Sequence, residues 1–231
     1  MIDVRQQISN VRRTLGRRTL EAGEARVSVI SQVYDTDLDD LWEVVTSPDR
    51  IARWFLPISG ELKEGGHYQL EGNAGGTVTS CDKPRGYAAT WEYGGEVSWI
   101  EVRLTPEDGG TRFELEHVAH VKDEWWDQFG PTATGLGWDS GLYGLAKHLD
   151  DPAARRPGPE ELMAWVGSDE GKLFYRLAAD AWKEVAIADE AGFVAETNAT
   201  VSRCGTLVEA VGGMGSGGID KLVCGDGDDR P

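Results

Sequence analysis

Apolar residues along this chain keep two rhythms, and the changeovers between them mark out its elements. In residues 130–149, GPTATGLGWDSGLYGLAKHL, Trp138, Leu142, Leu145 and Leu149 recur at i, i+4, i+7 and i+11, one stripe of an α-helix. Gly137, Gly141 and Gly144 run along the neighbouring face, each costing about 1 kcal/mol of helix propensity relative to alanine. A glycine row at that cost predicts close approach of another backbone, or volume left vacant beneath the helix. This helix is expected to lie across a sheet and to organise the rest of the chain.

Ahead of it, Val4, Ile8, Val11 and Leu15 share one face and predict a short amphipathic helix, with Arg5, Arg12 and Arg13 turned elsewhere. Residues 25–34 alternate, Val27, Val29 and Val33 against Ser28, Gln32 and Tyr34, and predict a half-buried strand. Asp35 to Asp37 supply a cap for a helix reaching about Val45, and Ser47-Pro48 opens a second that ends in Trp54-Phe55-Leu56-Pro57. That run of bulky residues is either a core plug or the mouth of an apolar pocket.

Between Ser59 and His117, Gly- and Pro-bearing turns separate about six strand-like runs, the pattern of an antiparallel meander. Alternation puts Tyr68, Leu70, Tyr87, Trp91, Ile100, Val102, Leu104, Phe113, Leu115 and His117 on the inner face. It turns Glu92, Glu101, Arg103, Glu114 and Glu116 outward. Residues 124–129 begin a helix that Gly130-Pro131 interrupts. After a proline-rich linker, helices are expected over 160–166 and, behind a Ser168 cap, from Asp169 to about Asp189. From Asn198 the chain turns glycine-rich. Its GxGxxG at 213–218 has too little chain after it for a dinucleotide site, so the segment reads as a disordered tail. The expected divisions are 1–24, an N-terminal helix and linker; 25–150, the main domain; 151–197, a helical extension; and 198–231, the tail.

Composition narrows the function. With 23 basic and 40 acidic residues the net charge is −17, which repels nucleic-acid phosphates and anionic membrane surfaces. Cys81, Cys204 and Cys224 are widely spaced with no CxxC, so neither a disulfide framework nor a zinc site is expected, and a reducing cytoplasm fits. No signal peptide or membrane span is read from the N-terminus or from any later segment.

Several short motifs, in order, resemble one family. Asp39-Asp40-Leu41-Trp42, Ser47-Pro48-Asp49-Arg50-Ile51-Ala52-Arg53-Trp54-Phe55, Gly65-Gly66-His67-Tyr68, Trp91-Glu92-Tyr93, Phe113-Glu114-Leu115-Glu116-His117 and Gly137-Trp138 resemble the SRPBCC (START-like) superfamily. The closest branch is that related to the C-terminal domain of the heat-shock protein 90 ATPase activator. The resemblance spans about 25–149 and implies an α+β helix-grip fold: a curved antiparallel sheet wrapped around a long C-terminal helix, here with extra helices at both ends. It further implies a cavity between sheet and helix for a lipid, polyketide or other mostly apolar molecule. Its walls would be Trp54, Phe55, Tyr68, Trp91, Phe113, His117, Trp138 and Leu142. Many members of the branch carry a histidine shortly before the Gly-Trp pair. Here Thr134 to Leu136 offers none, so no polar contact carries over from that position.

Titratable candidates in such a cavity are His117, Asp139, Tyr68 and Tyr143. His117 and His120 would point to opposite faces of a strand, which argues against a metal pair, and neither a metal nor a cofactor is expected. An inward His117 is the one candidate for a general base, although buried histidines are more commonly satisfied core residues. Three functions follow: binding of an apolar or amphipathic small molecule, with no catalysis; polyketide cyclase/aromatase-like or hydrolase activity in the same cavity; or interaction with a chaperone or regulator. A protein partner or homodimer is compatible with each.

Overall fold

The computed structural model describes residues 2–189; the expected tail, with its glycine motif and Cys204 and Cys224, lies outside the described residues. The elements run α1 (Val4–Asn10), β1 (Arg12–Leu20), β2 (Gly23–Tyr34), α2 (Leu38–Thr46), α3 (Pro48–Trp54), β3 (Ile58–Gly60), β4 (His67–Leu70), β5 (Gly75–Asp82), β6 (Gly86–Tyr93), β7 (Glu96–Glu107), β8 (Gly110–Ala119), α4 (Asp123–Phe129), α5 (Thr132–Asp150), α6 (Pro159–Gly167) and α7 (Asp169–Ala188). All eight strands form one antiparallel sheet in the order β1-β2-β8-β7-β6-β5-β4-β3, and α5 crosses it. This is the α+β helix-grip arrangement, and six strands do occupy the stretch between α3 and α4.

Register decides which side chains meet α5. On β8, Leu115 lies between Ile30 of β2 and Val102 of β7, Phe113 between Gln32 and Leu104, and His117 between Ser28 and Ile100. Directly opposed residues share a face, so all of these point towards the helix. The inner-face assignments for β4 and β6–β8 hold. In β2, Ser28, Ile30, Gln32 and Tyr34 face the helix, while Val27 joins Ala25 and Val118 in a small cluster on the opposite face. Val33 is 37% exposed. Alternation by itself assigned no inner face here, because the outer face of this strand is itself partly covered.

One correction concerns the N-terminus. The helix stops at Asn10, and residues expected as its last turn and a linker form β1, an edge strand paired along its whole length with β2. Val11 and Leu15 still reach the core, which is why the helical spacing seemed to continue. Along β1, Arg12, Arg17 and Arg18 are exposed, and charged side chains on an edge strand discourage pairing with another sheet.

Arg13 is different. Its guanidinium reaches inward and forms a two-pronged ion pair with Asp139 of α5, at 2.5 Å from Nη2 to Oδ1 and 3.3 Å from Nε to Oδ2. The Trp182 indole of α7 donates to the same carboxylate at 2.8 Å. Side-chain exposure of Arg13 and Asp139 is 4% and 0%. Beside this clasp, Gln7 of α1 and Gln32 of β2 exchange amide hydrogen bonds at 2.8 and 3.3 Å. Val4, Ile8, Leu136, Tyr143, Val166, Phe174 and Ala178 then close a second apolar cluster among α1, α5, α6 and α7.

The glycine row on α5 serves both expected purposes. A Cβ on Gly144 would lie 2.3 Å from the Trp54 carbonyl oxygen, so α3 and α5 pack backbone to backbone there. On Gly141 it would meet only Phe55, at 3.6 Å, beside open volume. Replacing each glycine with alanine should therefore have opposite effects. Gly141→Ala should gain about 1 kcal/mol from helix propensity, whereas Gly144→Ala should lose about 2 kcal/mol by overpacking, as read from urea denaturation midpoints. The same assay should show Asp139→Ala losing about 3–5 kcal/mol because it strands a buried guanidinium, with the double replacement Arg13→Met/Asp139→Leu losing much less.

Candidate functional site

Two cavities flank the aromatic run at the end of α3. The first, about 360 Å³, lies between the inner face of the sheet and α5. Its walls are overwhelmingly apolar: Ile100, Phe113 and Leu115 from the sheet, Trp138 and Leu142 from α5, and Trp42 and Val45 from α2. Few charged side chains join this lining: Lys83 at the β5–β6 turn and Glu43 of α2 stand 3.6 Å apart, and the exposed Cys81 lies two residues before Lys83. Inside, the Tyr68 hydroxyl donates to the Thr90 carbonyl at 2.6 Å. Burial pushes the Tyr68 phenol well up and that of Tyr87 up to about 12, so both stay protonated donors.

Trp138 is the partition. Its ring contacts Phe55 at 6.4 Å between centroids, Trp91 at 4.9 Å and His117 at 5.7 Å, and Phe55 in turn lies 5.4 Å from Trp54. The Trp54 indole is anchored by donating to the Val44 carbonyl at 3.1 Å. On the far side of this wall lies the second cavity, about 390 Å³, closed by α5, α6, α7 and the loop 151–158.

The candidate residues divide accordingly. Trp54, Phe55, Tyr68, Trp91, Phe113, Trp138 and Leu142 all line the first chamber. His117 lines the second, and Trp54, Phe55, Trp91 and Trp138 face both. Of the other titratable candidates, Tyr143 lines the second chamber, its phenol pushed up to about 12 by burial, and Asp139 belongs to the structural clasp. Sequence reasoning missed Trp42 and Tyr87 as wall residues, and the second chamber altogether. One clue was present: Tyr143 and Lys147, at i and i+4, form a face of α5 separate from its leucine stripe.

Both ring nitrogens of His117 are occupied. Trp138 Nε1 donates to Nδ1 at 3.3 Å, which leaves the proton on Nε2 to donate to Ser98 Oγ at 2.8 Å. Ser98 passes its own proton to the Trp91 carbonyl at 3.0 Å. Burial pushes the imidazole down to about 4, so it is neutral at physiological pH and a weak base. His120, by contrast, sits edge-on to Trp99, whose register puts it on the opposite face of the sheet. Among the described residues no group of three or more His, Cys, Asp or Glu could hold a metal ion.

The sheet and the helix across it define an α+β helix-grip protein, and sequence comparison refines the class. Residues 35–150 match the family described as Activator of Hsp90 ATPase homolog 1-like protein, and the chain belongs to that family. The crystal structure of CalU16 from Micromonospora echinospora is 34% identical, with a TM-score of 0.60, covering 76% of this chain and 97% of CalU16. The solution structure of the same protein is 33% identical, with a TM-score of 0.57, covering 79% and 96%. An HSP90 activator from Plasmodium falciparum is 20% identical over 41% of this chain and 74% of its own, at a TM-score of 0.38, too distant to bear on function. No curated protein matches significantly. No helix among the described residues is long and apolar enough to cross a membrane.

The His117 environment makes a pH prediction. An unfolded histidine takes up a proton below its ordinary 6.5, whereas the folded one resists until about 4. Its contribution is therefore complete above pH 6.5 and is lost as pH falls towards 4, to the extent of about 3 kcal/mol. Urea titrations of the native protein and of His117→Gln should differ in slope across that interval, the variant losing less stability on acidification.

Proposed function

We propose that this protein binds an apolar or amphipathic small molecule in the first chamber, through the aromatic wall of Trp54, Phe55, Trp91 and Trp138 with Tyr68, Phe113 and Leu142. The observation that carries the reading is a cavity of about 360 Å³ between the sheet and α5 whose lining is overwhelmingly apolar. Cavities of this size take small ligands largely by burying their surface. Gly141 supports the reading: an alanine there would be sterically free and would favour the helix, so its absence leaves ligand volume at the cost of propensity.

Cyclase, aromatase or hydrolase chemistry at the same place would need a free base, and His117 is neutral, weakly basic and hydrogen-bonded at both nitrogens. A chaperone-type partner, suggested by the family's name, would require an apolar docking face. The large apolar residues exposed among those described, Val33, Val97, Trp125 and Ile187, lie on four different elements. Ligand binding is the better-supported reading. The compartment we propose is a reducing cytoplasm, a reading supported by three cysteines without a pairing pattern.

The test uses the neutral fluorophore N-phenyl-1-naphthylamine. The native protein should enhance its emission and hold it as a non-covalent adduct in native mass spectrometry. Ala89→Trp, at a residue that lines the first chamber and not the second, should weaken binding at least about tenfold with an unchanged far-ultraviolet circular dichroism spectrum. Equal affinity in the two proteins would sink the proposal.

A further inference from the structure

The second chamber carries a chemistry that the first lacks. In a chain with net charge −17, its lining includes Arg53, Lys147, Arg155 and Arg156 and, among the described residues, no aspartate or glutamate. Two of these cations are already engaged. Arg155 forms a forked pair with Glu161 at 2.5 and 2.6 Å, and Arg53 donates to the Pro152 carbonyl at 3.1 Å. Lys147 and Arg156 have no carboxylate within ion-pair distance among the described residues.

Lys147 is held differently. Its ammonium lies 3.9 Å from the centre of the Tyr143 ring and 4.9 Å from that of Trp165, a cation–π cradle that fixes the charge without neutralising it. Burial pushes Lys147 down from its ordinary value while Glu170, at longer range, pulls it back up. Arg156 is lowered in the same way, with Glu71 the opposing charge. Partly desolvated cations without a close counter-ion lack the partner that normally offsets burial. The rest of the lining includes Phe55, Leu56, Trp91, Trp138 and Leu162, an apolar surface in the same chamber as these two cations.

We infer that the second chamber binds an amphipathic anion, its carboxylate or phosphate head between Lys147 and Arg156 and its apolar body along the Trp138–Leu162 side. A guanidinium and an ammonium recognise such a head by charge-assisted hydrogen bonds, which strengthen where water is excluded. The site goes beyond the reading of the first chamber, because Arg156 and Leu162 come from the loop 151–158 and α6, past the family-matched residues 35–150.

The experiment compares three probes of equal chain length, decanoate, decyl phosphate and decanol, by isothermal titration calorimetry on the full chain. At least one anion should bind about tenfold or more tightly than the neutral alcohol, and whichever is tighter identifies the head group. Lys147→Gln and Arg156→Gln should each abolish that preference while leaving decanol affinity and N-phenyl-1-naphthylamine binding unchanged. The naphthylamine reports the first chamber, so loss of its signal in the native protein would count against that reading and not this one. Equal affinity of all three probes, or an anion preference that survives both substitutions, would overturn the inference.

Discussion

The carboxylate of Asp139 sits in the middle of α5 with no exposure to solvent, and three elements distant in sequence converge on it. Arg13 approaches from the edge strand, Trp182 from α7, and α5 itself carries the acid. Desolvating an ion pair is expensive, and the pair is tolerable only when the geometry supplies several hydrogen bonds at once. Here the guanidinium forks onto both oxygens and the indole completes the set. The clasp sets where β1, α5 and α7 lie relative to one another, and so sets the position of the helix that forms one side of both chambers. Gly135 contributes to the same junction, since a Cβ there would stand 2.5 Å from the Trp182 ring.

Once α5 is placed, the chambers follow from what it does not carry. Gly144 lets the end of α3 reach its backbone, which swings Trp54 and Phe55 against Trp138. That aromatic wall divides the space beneath the helix into an apolar side and a cationic side. Gly141 leaves room on both. A side chain at Gly144 would push the wall away, and one at Gly141 would fill the space it encloses. The two glycines are one helical turn apart and do opposite work.

His117 shows how a polar residue in an apolar cavity can be structural. With Trp138 donating to one nitrogen and Ser98 accepting from the other, it links α5 to the sheet through a chain that ends at the Trp91 carbonyl. Every member of the chain is satisfied, the condition under which buried polar groups stabilise a particular arrangement. It also orients the Trp138 indole, which faces both chambers.

Periodicity revealed the α5 stripe and the strand meander, and cap residues the starts of α2 and α7; the aromatic walls of the first chamber were expected only from the family resemblance. The stripe and the meander repeat every 3.6 or 2 residues and are written locally. The faces of β2 were not, because both sides of that strand are partly buried and alternation then carries no sign. Nor was β1, whose pairing with β2 supplies the hydrogen bonds that its own arginine-rich sequence gives no local reason to expect. The motif resemblance placed His117 in the cavity, but the state of its nitrogens depended on Ser98 and Trp138, which only the closed sheet and α5 bring within reach. The Arg13–Asp139 pair, 126 residues apart, and the cation-lined second chamber belong to the same category. Their chemistry arises between elements far apart in the chain, so it exists only after the core has decided which surfaces meet.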